Sequence, residues 1–404
     1  MVVKQQSSSA SMAKLLFLLI ILVAVGQMTQ TMYVPSIPAM SEFFSVKSAY
    51  LQAVMAAYLI PYGLSQFIYG PLSDRIGRRP VILLGMGIFL LGIVSALFAP
   101  SFEWFLAASF VQGMGTGCSG AMCRTVTRDC YEGEDLHRAN SLVSMGIIFS
   151  PLIAPVLGGY LSSAFTWQAS YMFLFAFGAA VTLAMMVYFA ETLPVEKRRH
   201  ERVLVSYRYV LGNRRFQGYV LCLIATFAGI AAFEAAAGVL LGSVLKLDPK
   251  TVSLLFILPL PGYLAGSWLS AVLAKKLGNA KVMMIGMLAI TLGAVIILIP
   301  GMAGLVTVSS LIGGAFVYFA GAGVLFPAAT TAAIQPFPHH AGTAGAILGG
   351  LQNLGAGLAT LAASMMRAED QYSLGAVMSV MAILVVFSLI WVRRNENQDS
   401  HVLV

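Results

Sequence analysis

Charged residues are scarce in this chain: they make up 10% of its 404 residues, whereas hydrophobic residues make up 59%. The core of a soluble protein has no use for so much apolar surface, but a lipid bilayer does. The sequence also lacks the glycine-rich loop that cradles phosphates, G-x-x-x-x-G-K followed by Ser or Thr, which argues against ATP-driven transport. The composition therefore predicts an integral membrane protein.

Cysteine is rare as well. The four cysteines are Cys118, Cys123, Cys130 and Cys222. All lie in apolar runs or on the side predicted below to be cytoplasmic, so we expect no extracytoplasmic disulfide. Their spacing does not match a metal site, and His339 and His340 have no Cys or acidic neighbour. We therefore expect no metal, no cofactor and no enzymatic activity.

Long apolar runs recur along the whole chain. A membrane-spanning helix needs about 20 apolar residues, and the sequence holds twelve such stretches. They cover 14–36, 49–71, 80–100, 103–124, 138–162, 167–190, 217–244, 251–274, 281–300, 304–334, 341–366 and 371–392. No small-x-small cleavage site follows the first, so we interpret it as a retained span. The predicted fold is all-α and membrane-spanning, with twelve transmembrane helices.

Lysine and arginine are distributed unevenly between the predicted loops. With the N-terminus inside, 20 of the 24 Lys and Arg residues fall on the cytoplasmic side. The exceptions are Lys47, Lys246, Lys250 and Arg367. Because positive charge favours cytoplasmic loops, we expect both termini in the cytoplasm. The net charge of +8 follows from this topology, and we expect no nucleic-acid partner.

The longest polar interval, 191–216, divides the predicted spans into six and six. We predict an N-terminal half over 1–190, a cytoplasmic linker over 191–216 and a C-terminal half over 217–404. The halves show weak internal similarity, since Gly77 and Gly278 are 201 residues apart, as are Gly85 and Gly286. Duplicated halves with a site between them are typical of secondary transporters.

The most distinctive loop runs from Gly70 to Arg79, between the second and third spans: GPLSDRIGRR. It resembles the cytoplasmic loop of the major facilitator superfamily, whose pattern is G-x-x-x-D-R-x-G-R-R/K. In that family the loop acts as a latch between the halves on the cytoplasmic side. The resemblance implies this role for a set that we call the cytoplasmic latch: Gly70, Asp74, Arg75, Gly77, Arg78, Arg79 and Arg124.

Within this latch we expect Arg124, at the inner end of the fourth span, to pair with Asp74. The start of the eleventh span, near Ala341, lies on the same side and can offer its N-terminus. The alternative is that these charges only mark a topological loop, although that explains neither Asp74 nor Gly77.

The fifth span carries SPLIAPVLGG over 150–159. It resembles the antiporter motif of the same superfamily, G-x-x-x-G-P-x-x-G-G, with Ser150 and Ala154 in place of two glycines. Pro151, Pro155, Gly158 and Gly159 are its main residues here. Small residues permit close helix approach, and proline bends a span. The motif favours export, and the alternative is tight packing with no directional meaning.

Two positions that carry charge in related drug exporters are uncharged here. Ser109 stands where an arginine often precedes Gln112-Gly113, and Thr31 stands where an aspartate often precedes Met-Tyr. Glu234, within the seventh span, is then the one acidic residue placed inside a span. A carboxylate there is costly unless it is protonated or paired, and burial favours the protonated form. Glu234 is our proton-coupling candidate, with a structural hydrogen-bonded glutamate as the alternative.

Polar and aromatic residues form stripes on the first two spans. Gln27 and Gln30 share one helix face, and Tyr58, Tyr62 and Gln66 recur every four residues. Amides are poorly satisfied in lipid, so both stripes should face the interior. They either line a cavity for bulky amphipathic molecules or hold helices together. No span is predicted to carry an arginine or lysine that could clamp an anionic substrate.

Along nearly all spans the chain resembles the Bcr/CflA branch of drug–proton antiporters. The matching segments include 23–31, 70–80, 112–117, 124–129, 228–234 and 336–353. The resemblance implies proton-coupled export of hydrophobic and amphipathic drugs by a monomer in the bacterial inner (plasma) membrane. It also implies a central cavity containing Gln27, Gln30, Tyr58, Tyr62, Gln66 and Phe233. The alternatives are an exporter of one metabolite, of amino-acid or polyamine type, and a membrane sensor without flux, which the short termini disfavour.

Overall fold

The structure is a computed structural model of the chain. It describes residues 9–131, 133–198, 203–337, 341–366 and 370–401. The predicted surface pair His339–His340 lies outside this part of the chain. Among the described residues, the regular structure is entirely helical.

The α-helices are numbered in chain order. They are α1 Ser9–Thr31, α2 Ile37–Phe43, α3 Gln52–Ile76, α4 Arg78–Leu97, α5 Phe102–Cys130, α6 Gly133–Ala164, α7 Gln168–Tyr188, α8 Val203–Leu211, α9 Arg214–Ala237, α10 Pro249–Ile257, α11 Pro259–Leu277, α12 Asn279–Met302, α13 Val308–Ile334, α14 Ala341–Ser364 and α15 Gln371–His401. Short 3-10 helices cover Val34–Ser36, Ser48–Leu51 and Val195–Lys197, and a π-helix covers Gly238–Val244.

Ten helical segments among the described residues are long and apolar enough to cross a membrane. They contain α1, α3, α4, α7, α9 and α11 to α15. Helices α5 and α6, of 29 and 32 residues, exceed the length of a span but carry more polar residues. The chain is thus a multi-pass membrane protein, and the count of twelve spans remains a prediction.

Two junctions show the internal similarity expected from the sequence. Gly77 is the single residue between α3 and α4, and Gly278 is the single residue between α11 and α12. Their φ angles are +105° and +77°, a region that residues with a Cβ rarely adopt. Gly85 then packs against the Gly115 carbonyl, and Gly286 packs against the Gly321 carbonyl. The two α-hairpins therefore repeat the same construction.

Two features of the seventh and eighth predicted spans differ from expectation. Helix α9 continues as a π-helix, in which Gly238 is packed closely against the Val34 carbonyl and Gly242 against the ring of Pro38. The predicted span 251–274 is interrupted at Leu258, because Pro259 and Pro261 lack the N–H groups that would continue the α10 ladder. The polar interval 191–216 also contains a helix, α8, that its composition did not indicate.

Helices α1 to α7 precede the linker and helices α9 to α15 follow α8, and we call them the two sets of helices. The two sets meet tightly on one side of the molecule. The π-helix packs on α2 and on Val34–Ser36, and the Ser243 and Ser48 hydroxyls are 2.8 Å apart. Gly159 on α6 lies against the Pro249 carbonyl at the start of α10. These contacts close the side that the charge distribution predicts to be extracytoplasmic.

Candidate functional site

A cavity of about 580 Å³ lies between the two sets of helices. Its walls come from α1, α5 and α6 on one side and from α9, α11, α13 and α14 on the other. The walls are mostly apolar: Phe326 lies between Phe227 and Tyr263, with ring centroids 6.4 and 6.2 Å apart. A cavity of this size and lining suits a bulky, largely apolar ligand.

Glu234 lines this cavity in the last turn of α9, next to the π-helix whose contacts close one side of the molecule, and is 5% exposed. The Gln30 amide donates a hydrogen bond of 2.9 Å from Nε2 to Glu234 Oε2. This bond joins α1 to α9 and leaves the second carboxyl oxygen, Oε1, for another donor. Gln27 lies on the same wall. The structure thus brings together the carboxyl and amide groups that the sequence singled out.

Tyr58, Tyr62, Gln66 and Phe233 were expected in the cavity, but they lie outside its lining and are at most 4% exposed. The Tyr58 hydroxyl donates to the Gly26 carbonyl at 2.7 Å, and it is 2.7 Å from Thr116 Oγ1. That position ties α3 to α1 and α5.

Tyr62 stacks on Tyr58, with ring centroids 5.8 Å apart. Phe233 packs between Phe256 and Phe319. The Tyr62 side chain also lies against Gly26 on α1 and Gly120 on α5, so both side chains pack helices together in this structure. The helix-holding alternative thus describes Tyr58 and Tyr62, whereas the buried amide of Gln66 makes no hydrogen bond with any described residue.

Two arginines line the cavity at its other end, contrary to the expectation that none would be available to an anionic ligand. Arg124 and Arg128 are one helical turn apart near the C-terminus of α5, and both are exposed. Arg124 Nη1 donates to the Gly345 carbonyl on α14 at 2.8 Å. The sequence predicts both residues on the cytoplasmic side of the membrane, and the structure places their side chains in the lining of the cavity.

The predicted Asp74–Arg124 pair is also absent. Asp74 is paired instead with Arg78, whose Nη1 lies 2.5 Å from Asp74 Oδ1. Arg78 Nε donates to Asp129 Oδ2 at 2.8 Å, and the Arg78 side chain is 3% exposed. Arg78 is therefore the centre of the latch, and its ionic partners come from α3 and α5.

Glu191 is a further member of this cluster that the sequence did not reveal. Its carboxylate accepts hydrogen bonds from the backbone N–H groups of Arg78 and Arg79, at 2.9 and 3.2 Å, at the N-terminus of α4. Desolvation raises the pKa of Glu191, but these bonds, the N–H of Leu193 and the charge of Arg198 hold it below its usual value. The carboxylate thus caps α4 and fixes the chain that leaves α7.

The remaining latch residues take peripheral positions. Arg79 Nη2 donates to the Met186 carbonyl at 2.5 Å. Arg75 is exposed, and a Cβ on Gly70 would meet open space. The side-chain partners of Arg78 and Arg79 all precede the linker, and their backbone N–H groups bond to Glu191 at its start. Arg124 contacts α14 instead.

The motif on α6 permits two close helix approaches. A Cβ on Gly158 would overlap the Met32 carbonyl at the end of α1, and one on Gly159 would approach the Pro249 carbonyl. Pro151 lines the cavity and is half-buried, whereas Pro155 is buried. Among the described residues, no group of three His, Cys, Asp or Glu could hold a metal ion.

A sequence profile of the Major Facilitator Superfamily matches residues 19–360 and 219–403. The Multidrug resistance protein D of Escherichia coli strain K12 is 47% identical over 372 residues, which cover 92% of this chain and 94% of the relative. A bicyclomycin resistance protein homologue of Haemophilus influenzae is 25% identical over 83% of this chain and 85% of its own.

Among solved structures, a D-xylose–proton symporter superposes with a TM-score of 0.75 at 14% identity, covering 93% of this chain and 97% of its own. At that identity the likeness concerns the fold alone. The sequence profile, the first of these relatives and the solved structure each match more than nine tenths of the chain.

Proposed function

The chain belongs to the major facilitator superfamily, and on that premise we propose that it exports hydrophobic and amphipathic compounds in exchange for protons. The observation that carries this proposal is the mostly apolar cavity of about 580 Å³ with one buried carboxyl group, Glu234, next to the π-helix on the closed side. The resistance phenotypes named for its relatives support the same substrate class.

Glu234 is the proton-coupling residue of this proposal. A carboxyl group in an apolar wall favours the protonated form until a cationic ligand or water approaches. Gln30 holds the carboxyl in place from α1, so a change in its protonation acts on the contact between the two sets of helices. Proton binding and substrate binding then favour different arrangements of the same cavity.

Transport follows from alternating access of two halves, 1–190 and 217–404, joined by the linker 191–216. The structure corresponds to a state in which the cavity is closed on the side where Ser243 meets Ser48 and open at the end lined by Arg124 and Arg128. We assign the open side to the cytoplasm from the positive-inside distribution, with both termini there and the protein in the bacterial inner membrane. We expect it to act as a monomer.

Reconstituted liposomes test this function. Purified full-length protein is given an imposed pH gradient, and movement of three chemically unrelated lipophilic compounds is followed together with internal pH. Gradient-driven movement of all three, each accompanied by proton flux, is the expected result. Transport of one amino acid or polyamine, competed by none of the lipophilic compounds, would assign the protein to a metabolite exporter instead.

A further inference from the structure

The cavity has a carboxyl group at one end and two guanidinium groups at the other, and their separation decides which ligands it accepts. Among the described lining residues, Glu234 is the one carboxylate, and Arg124 and Arg128 are the two cations. The nearest acidic neighbour of Arg128 in the chain, Asp129, is already bonded to Arg78 Nε at 2.8 Å. The two arginines thus meet no carboxylate within the lining.

The distance between the two ends follows from the packing of α5 along α1. Cys123 Sγ lies 3.2 Å from the Leu19 carbonyl, and the Tyr131 hydroxyl lies 2.8 Å from the Met12 carbonyl, so the two helices run antiparallel. Glu234 lies level with Gln30. At 1.5 Å per residue along α1, the backbone level of Arg124 is about 16 Å from that of Glu234, and Arg128 lies about 6 Å further.

Phe227, Tyr263 and Phe326 occupy the wall between the two charged levels. A compact zwitterion cannot reach both ends of such a cavity. An elongated amphiphile can place a charged head at one end and its apolar body against the aromatic wall.

The arginine end has free donor capacity. Arg124 uses one guanidinium N–H on the Gly345 carbonyl, and a guanidinium has five such donors. Arg128 is exposed to the cavity and makes no ion pair with any described residue. Gly345 lies in the second turn of α14, whose N-terminal dipole adds to the positive potential. Guanidinium groups recognise carboxylate, sulfate and phosphate heads in particular.

We propose that Arg124 and Arg128 form a second subsite of the cavity, which binds the anionic head of an amphiphile while its apolar body lies along the Phe227–Phe326 wall. Cationic amphiphiles use the Glu234 end, so ligands of opposite charge occupy the cavity in opposite orientations. Transport of such anions depends on the proposed function, whereas their binding to the subsite does not.

Binding of two charge-matched probes tests this subsite. Pyrenebutyrate and a pyrenebutyl-trimethylammonium salt share the same apolar body, and both are titrated by fluorescence into full-length protein in phosphatidylcholine nanodiscs. Arg128→Gln should weaken binding of the anion about three- to tenfold, as loss of a charge-assisted contact near solvent implies, and should leave the cation unchanged. Arg128→Lys should restore much of the anion affinity.

Three further variants make the test specific. Glu234→Gln should weaken the cation and spare the anion, whereas Arg208→Gln, in the exposed linker helix α8, should change neither. Arg124→Gln should act on the anion in the same direction as Arg128→Gln. Equal effects of Arg128→Gln on both probes, or no effect of either arginine variant on the anion, would overturn the proposal.

The source of the anion is separated by the membrane composition. In phosphatidylglycerol nanodiscs, weaker apparent binding of pyrenebutyrate to wild type, absent in Arg128→Gln, would identify an anionic lipid head as an occupant of the subsite. Unchanged binding would assign the subsite to soluble amphiphiles. Arginine-dependent anion binding without gradient-driven transport would retain the subsite and reject the proposed antiport.

Discussion

Arg78 holds the latch together, and replacing it should destabilise the protein strongly. Its side chain is 3% exposed and lies 2.8 Å from Asp129 and 2.5 Å from Asp74. It also donates to Ser73 Oγ at 2.7 Å. Arg78→Gln removes the charge and most of these donors, and leaves two carboxylates without their cation.

The magnitude follows from the exposure of the two carboxylates. Removing one member of a buried ion pair costs about 3–5 kcal/mol, but an exposed pair contributes about 1 kcal/mol or less. The side chain of Asp129 is 17% exposed and that of Asp74 is 47% exposed. We therefore expect Arg78→Gln to lower the free energy of unfolding by about 3 kcal/mol. Arg78→Lys keeps the charge but not the forked geometry, so its effect should be about half as large.

Denaturant unfolding in detergent micelles, followed by circular dichroism, measures these differences. Arg75→Gln is the matched control, because Arg75 lies in the last turn of α3, three residues before Arg78, but is exposed. Its effect should stay within about 0.5 kcal/mol. The double variant Arg78→Gln with Asp129→Asn should be less destabilised than the sum of its parts by about 1–3 kcal/mol. Equal stability of Arg78→Gln and Arg75→Gln, or strict additivity in the double variant, would refute this reasoning.

Three further changes test other contacts. Gly158→Ala should lower the free energy of unfolding by about 1–3 kcal/mol, because the new Cβ would overlap a backbone carbonyl. Gly313→Ala is the control, because a Cβ at Gly313 faces open space. Equal unfolding midpoints of the two variants would contradict this reasoning. Tyr58→Phe should cost about 1 kcal/mol and leave the drug competition profile unchanged; an altered profile would place Tyr58 in the cavity. Desolvation raises the pKa of Glu191, but its hydrogen bonds hold this pKa below the usual value in the folded protein. Ionised Glu191 therefore stabilises the fold above its unfolded pKa of about 4.3, and this contribution is lost as pH falls through the lower folded pKa. Glu191→Gln should flatten that acid dependence of unfolding, and an unchanged dependence would argue against the contact.

The sequence predicted the helical membrane architecture because a span is defined by local composition. It also predicted the equivalent positions of Gly77 and Gly278, since only a few residue types accept their backbone conformation. The π-helix Gly238–Val244 and the break before Pro259 depend on what packs against α9 and α10. Such tertiary contacts leave no periodic pattern in the chain.

Part of the candidate site could also be predicted from the sequence. Gln30 and Glu234 could be singled out because polar groups inside a span must find partners, and the structure joins them. The Tyr58 stripe faces the interior as expected, but helix packing, not spacing, decides that it meets α1 and α5. Arg124 and Arg128 look from the sequence like ordinary cytoplasmic charges, and only the placement of α5 against α14 brings them to the cavity.

The coupling role of Glu234 is tested most directly by comparing two assays on wild type and Glu234→Gln in liposomes, with the exposed Glu103→Gln as control. The account predicts that Glu234→Gln loses drug accumulation driven by a pH gradient but keeps drug–drug exchange without a gradient. Glu103→Gln should retain both activities. Gradient-driven accumulation by Glu234→Gln at the wild-type level would contradict the account and place proton coupling on another group.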